Sequence, residues 1–217
     1  IVNVAVPSIV DELGITSTQV QWVQESYTLV FASLLLVFGT LADRYGRRRL
    51  LLLGVVIFAL SSIAAALADS GEFLILSRLV QGVGGSMILP ASLSIINATF
   101  RGKYRATAFG IWGAVISGAA AVGPLAGGAL TQWGSWQWIF LVNIPLGAIV
   151  FIAALLTVPE TKGGKARPGA DVDGALLSAL GFGALVFAVI EGPDLGWWTP
   201  KSELHIFGMV WPTTAPI

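Results

Sequence analysis

The chain is a succession of long apolar segments separated by short polar or charged loops. An α-helix needs about 20 mainly apolar residues to cross the hydrocarbon core of a bilayer. We therefore predict spans over five long segments, residues 19–42, 50–68, 73–100, 106–130 and 138–158. Residues 1–10 are expected to be the outer end of a first helix whose beginning lies outside this chain.

This pattern predicts an all-α integral membrane protein with four parts. A six-helix bundle occupies residues 1–158, with its first helix incomplete, and a linker that is basic and rich in glycine follows at 159–172. We expect this linker to be flexible. An additional transmembrane helix is predicted at 173–191. Residues 192–217 are interpreted as a polar tail, an interrupted loop followed by the start of an eighth helix.

Composition agrees with a membrane protein and excludes several functions. Hydrophobic residues make up 55% of the chain and charged residues 11%, against about 25% charged residues in soluble domains. The mean hydropathy is +0.82. The chain has no cysteine, one histidine (His205) and a net charge of zero. We therefore expect no catalytic triad, no metal site, no cofactor and no nucleic acid partner, and we predict that the protein is not an enzyme.

The basic residues of the loops predict the orientation in the membrane. Ten of the twelve lie in alternate loops: Arg44, Arg47, Arg48 and Arg49, then Arg101, Lys103 and Arg105, then Lys162, Lys165 and Arg167. Lysine and arginine accumulate in cytoplasmic loops, so these loops are predicted to be cytoplasmic. The opposite loops contain acidic residues and the tryptophans Trp133, Trp136 and Trp138, which we interpret as an outer aromatic belt.

The most informative loop joins the predicted spans 19–42 and 50–68, which are helices 2 and 3 when the incomplete first helix is counted. It includes the stretch Gly39–Leu50 (GTLADRYGRRRL). It resembles the signature between helices 2 and 3 of the major facilitator superfamily, G-x-L-A-D-R-x-G-R-R/K. The resemblance implies a cytoplasmic gating role for Gly39, Asp43, Arg44, Gly46, Arg47 and Arg48. In this role Asp43 caps a helix of the other half of the transporter and holds the outward-facing state. Gly46 is expected to adopt a positive φ.

Further stretches resemble the drug:proton antiporter branch with fourteen helices. Leu76–Gly85 (LSRLVQGVGG) resembles the motif R-x-x-Q-G-x-G, and Gly118–Leu130 (GAAAVGPLAGGAL) resembles the antiporter motif of helix 5. The segments NVAVP, WVQESY and FLVNIP add to the resemblance. The chain is thus expected to be an N-terminal half whose partners are a C-terminal half, the lipid bilayer and a small-molecule substrate.

Two ionisable residues lie inside predicted spans, Arg78 and Glu25. A charge at the centre of a membrane helix costs at least about 2.5–3.5 kcal/mol, which favours a functional position. Both lie about two turns from the outer ends of their helices, so we predict that they face one cavity and pair or act in sequence. Gln81 shares the face of Arg78. The alternative is a snorkelling Arg78 and a solvated, interfacial Glu25.

The predicted fifth helix, residues 106–130, contains small residues at helical spacing. The antiporter motif places Gly118, Gly123, Pro124, Gly127 and Gly128 in one helix, where small residues allow close helix packing. The resemblance implies an outer gate packed against the other half, and the alternative is packing alone. Weak candidates for substrate contacts are Trp22, Tyr27 and Trp112. Asn143 in the sixth span is expected to mark a kink with a satisfied amide.

These features predict a secondary active transporter of the cell (inner) membrane. It would export drugs or other amphipathic molecules by alternating access, with the proton as coupling ion. One alternative is a dedicated exporter of a metabolite or antibiotic that the cell itself makes. Another is a truncated or half-size membrane protein that does not transport on its own.

Overall fold

The structure is a computed structural model that describes residues 2–163, 172–196, 204–206 and 209–211. Eight helices dominate these ranges, in the order α1 Val2–Leu13, α2 Ser17–Tyr45, α3 Arg47–Ala66, α4 Gly71–Thr99, α5 Gly102–Trp133, α6 Trp138–Leu141, α7 Asn143–Thr157 and α8 Val172–Leu195. Two short antiparallel strands, β1 Leu204–Ile206 and β2 Met209–Trp211, follow. The predicted all-α class is confirmed, apart from this small hairpin.

Five stretches of the described residues are long and apolar enough to cross a membrane. They are α2, α3, α4, α5 and the combined segment Trp138–Thr157 formed by α6 and α7. Many large apolar side chains point outward, for example Leu125 and Leu156, whose exposed fractions are 76% and 77%. Soluble monomers rarely expose such extensive apolar surface. The chain is therefore a multi-pass membrane protein.

The ends of the helices follow from local capping. α2 begins two residues before the predicted start because Thr16 and Gln19 form a reciprocal capping box. Ser70 caps α4 by accepting a hydrogen bond from the main-chain amide of Phe73 at 3.4 Å. The predicted spans 19–42, 50–68, 73–100 and 106–130 are confirmed to within a few residues at each end.

The sixth span is interrupted at Val142, which separates α6 from α7. The side-chain amide of Asn143 donates to the hydroxyl oxygen of Ser62 on α3 at 3.3 Å. The predicted satisfied amide is thus confirmed, while Val142 keeps helical dihedral angles of φ −59° and ψ −24° at the interruption. Trp136, predicted to belong to an outer aromatic belt, is instead buried and donates its indole N–H to Glu12 at 2.9 Å. The belt prediction is wrong for Trp136 because this hydrogen bond satisfies its polar edge inside the fold.

The end of the chain differs from its predicted organisation. α8 continues to Leu195, where Gly196 with φ 82° terminates it. The predicted start of an eighth transmembrane helix is wrong for residues 204–206 and 209–211, because main-chain pairing makes them a hairpin. The linker also differs at its beginning, since residues 159–163 contact the α2–α3 turn. The rest of the linker, residues 164–171, lies outside the described residues.

The packing is centred on α4, which lies between α2 and α3. α7 packs on α3, α8 packs on α2, and α1 packs on α5. The largest cluster of buried apolar residues joins α1, α3, α4 and α6, and contains Ile9, Leu74, Trp136 and Phe140. This arrangement places the two faces of α4 against two different helices and buries the polar residues Ser77, Arg78 and Gln81 of its first half.

Candidate functional site

Arg78 is a buried charge two turns into α4, with an exposed fraction of 8%. Its Nε donates to the main-chain carbonyl of Val23 on α2 at 3.1 Å, and its Nη1 donates to Oε1 of Gln81. Its guanidinium carbon lies 4.7 Å from the centre of the Tyr27 ring, a cation–π contact. We call Arg78, Gln81, Val23 and Tyr27 the Arg78 site. A snorkelling arginine would be exposed, so that alternative does not fit the structure.

The glycines that follow the buried arginine set the distance to α2 and α3. A Cβ added at Gly82 would lie 2.8 Å from the main-chain oxygen of Tyr27, and one at Gly85 would lie 2.7 Å from its hydroxyl. On the opposite side, a Cβ at Gly84 would lie 2.7 Å from a main-chain nitrogen of α3. The sequence QGVGG therefore allows both helices to pack against α4, and it brings the Tyr27 ring over the guanidinium.

No carboxylate pairs with Arg78 among the residues that the structure describes. The ion pairs in these ranges, Asp43–Arg47 and Arg49–Glu160, both lie at the α2–α3 turn. Neutral oxygens and one aromatic ring compensate the Arg78 charge instead. Ionisable residues within membrane spans commonly mark ion or substrate pathways. The site can therefore attract an anionic group that approaches it.

Glu25 does not join the Arg78 site. Val23 and Tyr27 of α2 contact the arginine, whereas Glu25 is exposed. Successive residues of a helix differ by about 100° in direction, so equal depth does not imply a shared face. The predicted pairing of Glu25 with Arg78 is not formed in this structure. The shared face of Arg78 and Gln81, in contrast, is confirmed by their hydrogen bond.

Of the three aromatic candidates for substrate contacts, Tyr27 lies in the Arg78 site. Its ring also stacks on Phe31 of the same helix, with ring centres 5.7 Å apart. Trp22 lies against Phe187 of α8, with ring centres 6.2 Å apart. Trp112 is half-buried on α5. The structure thus distributes these side chains over different helix contacts.

The α2–α3 turn carries the predicted gating residues. Gly46 separates the two helices and has φ 123°, so the predicted positive φ is confirmed. Nε and Nη2 of Arg47 donate to Oδ1 of Asp43 at 2.8 and 2.7 Å. The exposed guanidinium of Arg44 lies 5.5 Å from the ring of Tyr45.

A carboxylate from a distant segment completes this turn. The two oxygens of Glu160, located after α7, accept hydrogen bonds at 3.2 Å from the main-chain amides of Arg48 and Arg49. The guanidinium of Arg48 donates to the main-chain oxygen of Val158, also at 3.2 Å. Glu160 therefore satisfies free amides at the start of α3 and lies at the positive end of its dipole. We call Asp43, Gly46–Arg49 and Glu160 the turn cluster.

The remaining predicted residues have mainly packing contacts. A Cβ added at Gly39 would lie 3.7 Å from the ring of Pro90 on α4. In α5, Gly123 and Gly127 are buried, and a Cβ at Gly128 would lie 3.7 Å from a valine of α1. A Cβ at Gly118 would have no heavy atom within 4 Å, and Pro124 is exposed. The C-terminal half of the α5 motif is packed, and its N-terminal half is open among the described residues.

Comparison with known proteins identifies the family. The profile of the Major Facilitator Superfamily matches residues 1–213. The chain belongs to the major facilitator superfamily. A structure of a peptide transporter POT in complex with sulfate has the same fold, with a TM-score of 0.65 at 21% identity, covering 91% of this chain and 44% of that one. The predicted superfamily and bundle are confirmed.

Relatives within the superfamily include drug and antibiotic resistance proteins. The methylenomycin A resistance protein of Bacillus subtilis is 40% identical over 92% of this chain and 43% of its own length. The multidrug resistance protein Stp of Mycobacterium tuberculosis is 45% identical over 97% of this chain and 38% of its own. The chain spans about two fifths of the length of these relatives. Superfamily membership and these relatives indicate a transporter rather than an enzyme.

Proposed function

We propose that this chain is the N-terminal bundle of a proton-coupled exporter of drugs or other amphipathic small molecules. The observation that carries the proposal is the buried Arg78, which is held by neutral groups and has no carboxylate partner among the described residues. The relatives named for multidrug and antibiotic resistance support the class of substrate. Alternating access would rock this bundle against a second one around a central site.

In this proposal Arg78 and Gln81 form the proton-coupling part of the cavity. A substrate and a proton compete for acidic groups near the guanidinium, so that occupation by one favours release of the other. Glu25, which faces away from Arg78, acts separately as an acid at another part of the transport path. The proton is the coupling ion, and no cofactor is involved.

The remaining sequence features are assigned to topology and gating. We place the turn cluster on the cytoplasmic side of the cell membrane, where Asp43 also acts as a latch on the second bundle. We assign the open α5 surface near Gly118 to contact with that bundle, in a transporter of fourteen helices. The relatives' length, more than twice the matched segment, supports a second bundle.

Reconstitution tests the coupling directly. The gene product that contains this chain, here called the native transporter, is placed in liposomes with an acidic lumen, and ethidium uptake is recorded. We expect uptake that nigericin abolishes, because nigericin dissipates the proton gradient. Arg78→Ala should reduce uptake to background, and Arg78→Lys should also be impaired because lysine lacks the planar fork.

Arg101→Ala is the matched control for the loss of an arginine. Arg101 is exposed at the start of α5, so this variant should retain proton-driven uptake. Uptake by Arg78→Ala at the level of this control would contradict the proposal. Uptake by the native transporter that does not depend on the proton gradient would also contradict it.

The orientation can be tested with thiol labelling, since this chain contains no cysteine. Glu72 lies in the first turn of α4, and Lys103 lies just beyond the other end of α4, in the first turn of α5. A membrane-impermeant maleimide added to intact cells should label Glu72→Cys and spare Lys103→Cys until the cells are opened. The native transporter must stay unlabelled as the control, and the reverse pattern would contradict the assigned orientation.

A dedicated exporter is the second candidate, because two relatives are named for resistance to a single compound. Besides the methylenomycin A resistance protein, the puromycin resistance protein of Streptomyces alboniger is 40% identical over 92% of this chain. Uptake of ethidium, rhodamine, puromycin and methylenomycin A should be compared in the same liposomes. Transport of several dyes favours a multidrug exporter, whereas transport of one antibiotic alone favours the dedicated one.

A further inference from the structure

The hydrogen bonds of the Arg78 site continue beyond Gln81 to two further helices. Nε2 of Gln81 donates to Oγ of Ser62 on α3 at 2.7 Å. Nδ2 of Asn143, the first residue of α7, donates to the same oxygen at 3.3 Å. Gln81 and Ser62 are both fully enclosed, with exposed fractions of 1% and 0%. A continuous polar path therefore connects α7 to Arg78 through α3 and α4.

The hydroxyl of Ser62 gives this path a direction. It donates its single proton to the main-chain oxygen of Phe58 at 2.7 Å. A hydroxyl has one proton and two lone pairs, and both lone pairs here face N–H groups, from Gln81 and Asn143. Ser62 can then only accept from these amides. Gln81 must present its nitrogen to Ser62, which leaves its oxygen for Arg78.

The reverse orientation of the Gln81 amide is unfavourable. It would place the side-chain NH₂ of Gln81 against the guanidinium of Arg78, and both groups are donors only. It would also leave the Gln81 oxygen facing Ser62, whose proton is used elsewhere. In a buried site each unsatisfied group carries a full desolvation cost. The orientation of the Gln81 amide toward Arg78 thus depends on Ser62 and on the Asn143 amide, which donates to the same Ser62 oxygen.

On the basis of the proton-coupled export proposed above, we propose that Ser62 and Asn143 are positioning residues for proton coupling. They fix the Gln81 amide so that its oxygen holds the Arg78 guanidinium toward α2. Asn143 directly follows the break at Val142, so a displacement of α7 reaches Arg78 through three side chains. Neither residue contacts the arginine, and both act through Gln81.

Two transport modes separate this role from a structural one. Uptake of ethidium driven by a proton gradient requires coupling, whereas exchange of internal for external ethidium at equal pH requires alternating access without net proton movement. A variant that merely folds less well lowers both rates in proportion. A variant that misplaces Arg78 lowers the driven uptake and retains the exchange.

The adjacent Ser61 provides a matched control. It is also buried on α3, but its hydroxyl donates within its own helix, to the carbonyls of Ile57 and Phe58. In the native transporter, Ser62→Ala should lower driven uptake about three- to tenfold relative to exchange, the effect of one lost buried hydrogen bond. Ser61→Ala should leave this ratio unchanged, and Ser62→Thr should restore it because the hydroxyl is kept.

Asn143→Leu removes the second amide while keeping the number and branching of the side-chain heavy atoms, and it should lower the same ratio by a smaller factor. If Ser62→Ala does not fold, Asn143→Leu alone tests the positioning role. A ratio that is unchanged in Ser62→Ala and in Asn143→Leu would overturn the positioning role. If ethidium transport by the native transporter does not respond to the proton gradient, the proposed coupling is overturned instead. This result is obtained with the native transporter, before any variant is compared.

Discussion

The Arg78 site and the turn cluster are both built around arginines, and they compensate charge in opposite ways. Arg78 lies within a span and contacts a carbonyl, an amide oxygen and an aromatic ring. In the turn cluster Asp43 pairs with Arg47, and Glu160 occupies the start of α3. Among the residues that the structure describes, one site leaves a positive charge without a counter-charge, and the other combines charges of both signs.

This difference separates a site suited to exchange from one suited to structure. Neutral partners hold a guanidinium in place and leave its charge available to an incoming anion or acid. A fixed carboxylate compensates the charge permanently, and the resulting pair is stronger in a buried site than at the exposed α2–α3 turn. A substitution can therefore give each site the kind of charge compensation found at the other. At the Arg78 site it should lower proton coupling, and in the turn cluster it should lower stability.

The largest effect is expected when the Arg78 site receives its own carboxylate. Gln81→Glu preserves the size of the side chain and places a negative charge beside Nη1 of Arg78. The ion pair should compete with any transported acid, so we expect proton-driven ethidium uptake to fall at least about tenfold, the ratio that 1.4 kcal/mol represents. Uptake is measured with the native transporter in liposomes, after adjustment for the amount of folded protein.

Gln132→Glu makes the same chemical change at an exposed position near the C-terminal end of α5. It should leave uptake close to that of the unaltered transporter. Equal uptake by the two variants would remove the distinction between the two charged regions, because it would show that a permanent counter-charge at Arg78 has no consequence.

The second effect concerns the backbone of the turn cluster. Gly46 has φ 123°, and a Cβ there would lie 2.6 Å from Oε1 of Glu160. Gly46→Ala should therefore lower the free energy of unfolding by about 1–3 kcal/mol, the range for a side chain in such a conformation. Thermal and denaturant unfolding in detergent would measure it. Gly110→Ala, where a Cβ meets nothing within 4 Å, should be neutral or stabilising.

The sequence predicts the spans well because apolar length and helix caps are local properties. The bounds of α2 through α5 follow from the apolar runs, and Thr16 with Gln19 marks the start of α2 in the sequence itself. The interruption at Val142 is also signalled in the sequence by Pro145, which has no N–H to donate to the preceding helical turn. The positive φ of Gly46 follows from its place between two helices.

The partners of the charged residues could not be predicted, because they depend on how helices are rotated and aligned. Arg78 contacts the main chain of Val23, which no side-chain pattern reveals. Glu25 has the expected depth but a different direction. Ser62 is one of two adjacent serines, and only the packing of α3 on α4 selects it. Glu160 lies more than one hundred residues from its partners, although a lone acid in a basic segment was a usable signal.

A third, smaller effect is expected from the carboxylate of the turn cluster. Glu160→Gln retains the shape of the side chain and removes its charge from the start of α3. The loss should be about 1 kcal/mol, typical of an anion at a helix N-terminus in a partly buried position. Unfolding in detergent measures the change, and high salt should reduce it.

Glu72→Gln is the control, since Glu72 is exposed in the first turn of α4 and is more fully screened. Its effect should be smaller than that of Glu160→Gln. Gly46→Ala combined with Glu160→Gln should not give the sum of the single effects, because the two positions touch. Simple additivity would contradict the close contact that defines the cluster.

The smallest effect on stability, and the sharpest test of the comparison, is expected for Asp43→Asn. Asp43 and Arg47 form an i,i+4 pair, and the Asp43 side chain is 49% exposed. Pairs of this kind contribute about 0.3–0.5 kcal/mol, so unfolding should change very little. If Asp43 also latches the second bundle, transport should nevertheless fall in Asp43→Asn, because the carboxylate then acts on a conformational equilibrium and not on the fold. Unchanged uptake with unchanged stability would leave Asp43 as a local partner of Arg47 only, whereas a loss in both measurements would make the turn cluster purely structural.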